Sequence, residues 1–169
     1  MHPLVRLAKD AVEAHVRNRK KVRPPEDLPP EFMQPGAAFI CLKKGKNLRG
    51  CIGTVAPTRP SLAEEVIDNA VNSCSRDPRF DPVDEDELKE LSYTVDVLEQ
   101  AEPIASVKEL DPRVYGVIVE KGWRRGLLLP DLEGVDTVEQ QIHIARQKAG
   151  IAPDETDLKI SRFRVSRYK

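Results

Sequence analysis

Two stretches of this chain, AAFICLKKGKNLRGCIGTV (37–55) and VYGVIVEKGWRRGLLLP (114–130), alternate in character on either side of a glycine-containing turn. Alternation with a period of two marks a strand with one face against a core, and a short polar break between two such runs marks a β-hairpin. When strands arrive in hairpins, and helices do not follow each strand singly, the sheet is antiparallel and helices cover it. The expected class is α+β, with antiparallel hairpins packed by helices. Apolar residues at helical spacing mark Pro3 to Lys20 through Leu4, Leu7, Ala8, Ala11, Val12 and Val16. A second helix opens at Ser61 with Glu64 as its capping box, turns Leu62, Val66, Ala70 and Val71 inward, and runs to about Cys74. A short acidic helix spans Asp84 to Leu91, and Thr137 with Gln140 caps a last helix that stops at Gly150. SYTVDVLE and KISRFRVSRYK read as further strands. The segment from Pro24 to Gly36 holds too many prolines for a helix and reads as extended chain.

The first hairpin carries an anomaly, LRGCIGT, from Leu48 to Thr54. Glycine in a strand gives up packing and chain entropy, so Gly50 and Gly53 need a reason. On a regular strand Arg49, Cys51 and Gly53 share one face. A guanidinium two residues from a thiol, about 7 Å away, favours the thiolate. The glycine would leave room for a small substrate, and a bulge would re-aim Cys51. One reading is a nucleophilic or redox thiol in a cleft. The other is a buried cysteine, with glycines that let a helix pack closely. Further along, RDPRF places Asp77 in an Asx turn and lets Arg79 project a planar fork toward a carboxylate or phosphate. The plain alternative is a helix-ending turn with Arg79 paired to a nearby aspartate. A three-residue turn over Gly45 to Asn47 pairs Lys44 with Leu48 and puts Cys41 opposite Cys51. A two-residue turn of Gly45 and Lys46 pairs Lys44 with Asn47 and puts Cys41 opposite Gly50; this register is the expected one, because it keeps two reduced cysteines from facing each other.

Charge and cysteine usage narrow the classes. A formal net charge of -1 supplies no global field for nucleic acid or an anionic membrane. Trp123, Arg124 and Arg125 at one hairpin tip fall well short of a nucleic-acid stripe. No apolar run approaches the roughly 20 residues of a membrane span, and charges interrupt any signal-peptide core. The expected setting is the cytoplasm. Three cysteines without CxxC spacing fit reduced thiols there, with Cys41 and Cys74 in the core. His2, His15 and His143 lack metal-ligand spacing, so no metal and no cofactor is expected.

LRGCIGT, PTRPSLAEEVIDNAV, RDPRFDPV and GWRRGLLLP, in this order, resemble the AMMECR domain family, whose bacterial and archaeal members are called AmmeMemoRadiSam system protein A. The resemblance covers nearly the whole chain, and LRGCIG is the family signature. It implies one two-lobed domain over residues 1–169, with a larger lobe of about 1–100 plus the C-terminal strand 159–169 and a smaller lobe of about 101–158. It also implies an association with a Memo-type protein and a radical SAM protein. Many relatives carry a cysteine shortly before the KAG of the late helix, where this chain reads HIARQKAG. A two-thiol mechanism using that position therefore does not apply here. Combined with the chemistry above, the expectation is an enzyme or enzyme-accessory protein acting on a small or protein-borne anionic substrate. Cys51 would be its thiol and Asp77 its orienting acid, with Arg49, Gly50, Gly53, Thr54 and Arg79 lining the binding site. The rival is a non-catalytic interaction or regulatory domain in which LRGCIG is structural.

Overall fold

A computed structural model describes residues Met1–Lys169. The chain divides into two compact units, Met1–Leu98 with Ser166–Lys169, and Glu99–Val165. Each is helix on antiparallel sheet, the α+β class that the hairpins called for.

In the first unit, helix α1 (Pro3–Asn18) starts with proline at its first turn, and the His2 ring accepts the Leu4 N–H at 3.3 Å as a cap. Strands β1 (Ala37–Lys44) and β2 (Asn47–Gly53) form the first hairpin. Helix α2 (Leu62–Ser75) follows, capped by Ser61, whose Oγ accepts the Glu64 N–H at 3.2 Å. A 3-10 turn (Glu85–Glu90) leads into β3 (Leu91–Leu98). Helix α1 packs against α2 and β3, and α2 packs against β1 and β2. Leu4, Val12, Ile40, Leu42, Val66 and Val95 lie fully buried in this core.

The second unit holds β4 (Glu102–Pro103), β5 (Gly116–Lys121), β6 (Arg124–Leu128), helix α3 (Val138–Ala149) and β7 (Lys159–Phe163). Its sheet runs β4-β7-β5-β6, and α3 lies on β5 and β6. A methyl group on Gly126 would stand 2.0 Å from the Ala145 carbonyl oxygen of α3, so helix and sheet approach backbone to backbone there. Gln141, wholly buried in α3, donates to the Tyr115 carbonyl at 2.8 Å.

The end of the chain corrects one expectation. KISRFRVSRYK reads as one strand of the larger unit, but it breaks at Arg164. Strand β7 pairs with β5 and β4 in the second unit. Only the last few residues return, as β8 (Val165–Tyr168), to complete the first sheet in the order β2-β1-β3-β8. A period of two identifies extended chain but carries no information about which sheet edge receives it. The return is fixed by tertiary contacts. Arg167 reaches the buried Asp96 with two bonds of 2.8 and 2.7 Å, and Tyr168 stacks on His2 at 3.7 Å between ring centres.

The hairpin register holds the larger correction. Gly45 takes φ +61° and Lys44 does pair with Asn47. The register then slips between Leu42 and Lys43, with Lys43 opposite Leu48 and Leu42 opposite Gly50. Arg49 is the extra residue of a β-bulge. That one insertion moves Cys41 opposite Cys51, not Gly50. The two Cα atoms lie 4.1 Å apart and the sulfurs are bonded. The expected pair of reduced thiols is a cross-strand disulfide.

Candidate functional site

Strand β2 is the edge of its sheet, and an unpaired edge must be covered. Helix α2 covers it with polar side chains at four-residue spacing. Glu65, Asn69 and Ser73 are all buried. Ser73 Oγ accepts the Ile52 N–H at 3.0 Å and donates to the Ile40 carbonyl at 2.7 Å. Asn69 donates to the Ala38 carbonyl at 3.0 Å and to Thr54 Oγ1 at 3.3 Å. Glu65 takes the Thr54 and Thr58 hydroxyls at 2.6 and 2.7 Å and the Thr58 and Arg59 N–H groups at 2.9 Å each. Gly50 is the consequence of this approach: a Cβ there would lie 2.0 Å from the Ser73 carbonyl oxygen. A Cβ on Gly53 would meet the Phe39 ring at 2.2 Å. Both glycines, and Thr54 with them, are therefore committed to internal packing.

Arg49 is committed too. Freed from the ladder by the bulge, its Nε and Nη2 hold the Glu87 carboxylate at 2.9 and 3.0 Å. Nη1 donates to the Asp81 carbonyl at 2.8 Å and Nη2 to that of Pro82 at 3.3 Å. This bidentate clamp ties β2 to the 3-10 turn, so Arg49 pairs with Glu87 and not with Asp77.

RDPRF does reach the cysteine. The Asp77 side chain, only 2% exposed, accepts the Cys51 N–H at 2.9 Å. It also caps its own turn through the Arg79 N–H at 3.1 Å and grips the Arg79 guanidinium at 3.0 and 2.7 Å. Arg79 Nη2 further donates to the Cys51 carbonyl at 3.3 Å. The Arg79 side chain is 53% exposed, and the two cysteines beside it are half-buried. Arg79 thus presents a cation to solvent at the backbone of Cys51, with Asp77 fixing its plane. Cys74 is the core thiol expected, and burial pushes it up to about 11. Cys41, expected in the core, is instead half-buried and bonded.

The Arg79 guanidinium and the Cys51 amide hold the Asp77 carboxyl down at about 2, against the opposing effect of burial. Glu87 is held at about 2 chiefly by Arg49. Both acids release their protons more readily in the fold than in the open chain. Their contribution is complete above about pH 5 and is lost as pH falls through about 2. The melting temperature is expected to drop across that window. Asp77→Asn with Glu87→Gln, less stable at pH 7, should show a shallower acid dependence by circular dichroism. An unchanged acid slope in the double variant would remove these two pairs as its source.

Glu65 is the residue that the sequence reading missed. Its signal was present: a glutamate three residues after Leu62 and four before Asn69 falls on the inward stripe of α2. No group of three His, Cys, Asp or Glu side chains stands where it could hold a metal ion. Trp123 lies at the β5–β6 tip, 92% exposed, with Arg124 and Arg125 turned to Glu155 and Glu120 at 2.6 Å each.

The AMMECR1 family model matches residues 5–168. A Thermotoga maritima protein is 52% identical over 170 residues, covering 99% of this chain and 98% of that one. A Clostridium acetobutylicum protein is 44% identical over 169 residues, but this chain spans only 36% of its length. The crystal structure of an uncharacterised Pyrococcus horikoshii protein superposes with a TM-score of 0.90 at 36% identity, covering 97% of this chain and 88% of that one.

Proposed function

Because this chain belongs to the AMMECR1 family, we propose that its Cys41–Cys51 pair and Arg79 form a thiol–disulfide exchange site for an anionic small-molecule or protein-borne substrate. The setting proposed is cytoplasmic, as an enzyme or enzyme-accessory protein in a pathway with Memo-type and radical SAM proteins. Support comes from one arrangement above all: a half-buried cysteine pair linking edge strand β2 to its neighbour β1, with a half-exposed guanidinium bonded to the backbone of Cys51. In a reducing compartment a disulfide is usually transient, and transient pairs are redox-active. A substrate thiolate attacks one sulfur of the pair and the other leaves as thiolate. A second substrate thiol then resolves the mixed disulfide. Two electrons and two protons pass to Cys41 and Cys51, and the substrate leaves as a disulfide. Arg79 holds the anionic group of the incoming partner. Asp77 is a positioning residue, which fixes the Cys51 backbone and the plane of Arg79.

A second reading has its own observation. Arg49, Gly50, Gly53 and Thr54 are all consumed by internal contacts, as a purely structural signature in an interaction domain would require. Exchange kinetics separate the two. Reduced protein is mixed with glutathione disulfide, which is anionic, or with the neutral 2-hydroxyethyl disulfide, and Cys41–Cys51 formation is followed by alkylation and mass spectrometry. The expected result is faster oxidation by the anionic reagent, with Arg79→Ala slowing that reaction about tenfold while sparing the neutral one. A pair that resists reduction in millimolar thiol, or shows no charge selectivity, supports the structural reading.

A further inference from the structure

A second polar ladder of α2 lies beside the first. Where Glu65, Asn69 and Ser73 face the hairpin, Asp68, Asn72 and Arg76 recur at the same spacing three residues on, along a neighbouring, more outward stripe. They line a groove of about 300 Å³ with His15, Arg19, Lys20 and Lys21 from the end of α1, and Arg59 from the loop before α2. Five cations thus meet one carboxylate, in a chain whose formal net charge is -1. That carboxylate, Asp68, is already shared by Lys21 at 2.6 Å and by Arg59. Lys20 and Arg76 have no acidic partner. Like charges gathered on neighbouring elements repel, so a surface without a ligand gains nothing from this arrangement.

The turn that delivers them points the same way. Arg19 sits in the left-handed region at φ 54°, at the helix end where glycine is the usual occupant. Its N–H bonds the His15 carbonyl at 2.9 Å, and the Lys20 N–H bonds that of Ala14 at 3.3 Å. This folds Lys20 and Lys21 back across α2. The Arg19 Nη1 also donates to the His15 carbonyl at 3.3 Å, which holds this cation at the end of α1. The His15 imidazole registers the resulting field, since burial and then Arg19 and Arg76 lower its pKa.

We infer that this groove between the end of α1 and the outer face of α2 is a binding site for a small polyphosphate, such as the di- or triphosphate group of a nucleotide. Its volume lies at the small end of ligand pockets, which suits a phosphate chain with little else attached. The cations converge on a concavity lined by no Phe, Tyr or Trp, which distinguishes it from a nucleic-acid track. Arg76 and Arg59 offer forks to phosphate oxygens, and Lys20 and Lys21 add point charges. The site is separate from the Cys41–Cys51 face and does not depend on the redox proposal.

Titration calorimetry on the full chain tests it, with sodium tripolyphosphate and ADP as probes and salt at about 150 mM so that exposed charges are screened. Saturable one-to-one binding is expected for at least one probe. Lys20→Glu with Arg76→Glu should weaken it at least about tenfold, whereas the reversal Lys108→Glu, on the second unit, should leave it unchanged. Should the double reversal prove unstable by circular dichroism, Arg76→Gln is titrated instead, with a smaller loss expected. No saturable binding by either probe, or equal weakening by Lys108→Glu, overturns the assignment. So does tighter binding of a single-stranded oligonucleotide through the same residues.

Discussion

Gly50→Ala and Gly50→Val are each expected to cost about 3 kcal/mol or more, because either side chain begins with a Cβ 2.0 Å from the Ser73 carbonyl oxygen. The obstacle is helix backbone, which no rotamer change can move. Strand β2 would have to withdraw from α2, breaking the Ile52 N–H bond to Ser73 Oγ and the Cys51 N–H bond to Asp77. For a chain of this size the melting temperature should fall by roughly 6–12 °C. Gly45→Ala makes the contrast: it has open space around it but sits at φ +61°, so only the left-handed backbone penalty of about 1 kcal/mol applies. If Gly50→Ala melts like the parent protein, the close approach of α2 to β2 is wrong.

Glu65→Ala is expected to be comparably damaging, at about 2–4 kcal/mol, although the residue lies outside the LRGCIGT stretch. Its carboxylate is 1% exposed as a residue and has no cation beside it; its four donors are two hydroxyls and two backbone N–H groups of the Thr54–Arg59 loop. Truncation leaves those donors without their acceptor and opens a polar void beneath the loop. Amide exchange at Thr58 and Arg59 should accelerate well before global unfolding is reached. Glu65→Gln should fall between, because its amide presents two N–H donors where the carboxylate presents only acceptors. Unchanged exchange at both amides in Glu65→Ala would show that the loop is held by other means.

The elements themselves were legible in the residues. Helical spacing located α1, α2 and α3, the caps Ser61 and Thr137 stood where they were read, and both hairpins turn at their glycines. Gly50 was also legible as a point of close approach, since a strand glycine has few other uses. Proximity of Asp77 to Arg79 followed from two-residue spacing in an Asx turn. Local propensity and short-range stereochemistry suffice for all of these.

The rest depended on contacts between residues far apart in the chain. Arg49 looked like a ligand-binding arginine until folding brought Glu87 and the Asp81 and Pro82 carbonyls around it, 38 and about 33 residues away. The bulge that permits this pairing also decides the fate of two thiols. One unpaired residue shifts a strand by one position, and with a period of two that shift turns Cys41 from Gly50 to Cys51. The return of β8 to the first sheet, and the gathering of cations from α1, α2 and the preceding loop, likewise have no local signature. Sequence determines which segments are helix, strand or turn through interactions within a few residues. Which edges pair, which charges meet and which cysteines face each other is decided only when the core closes, because those choices are energetic contests among distant groups.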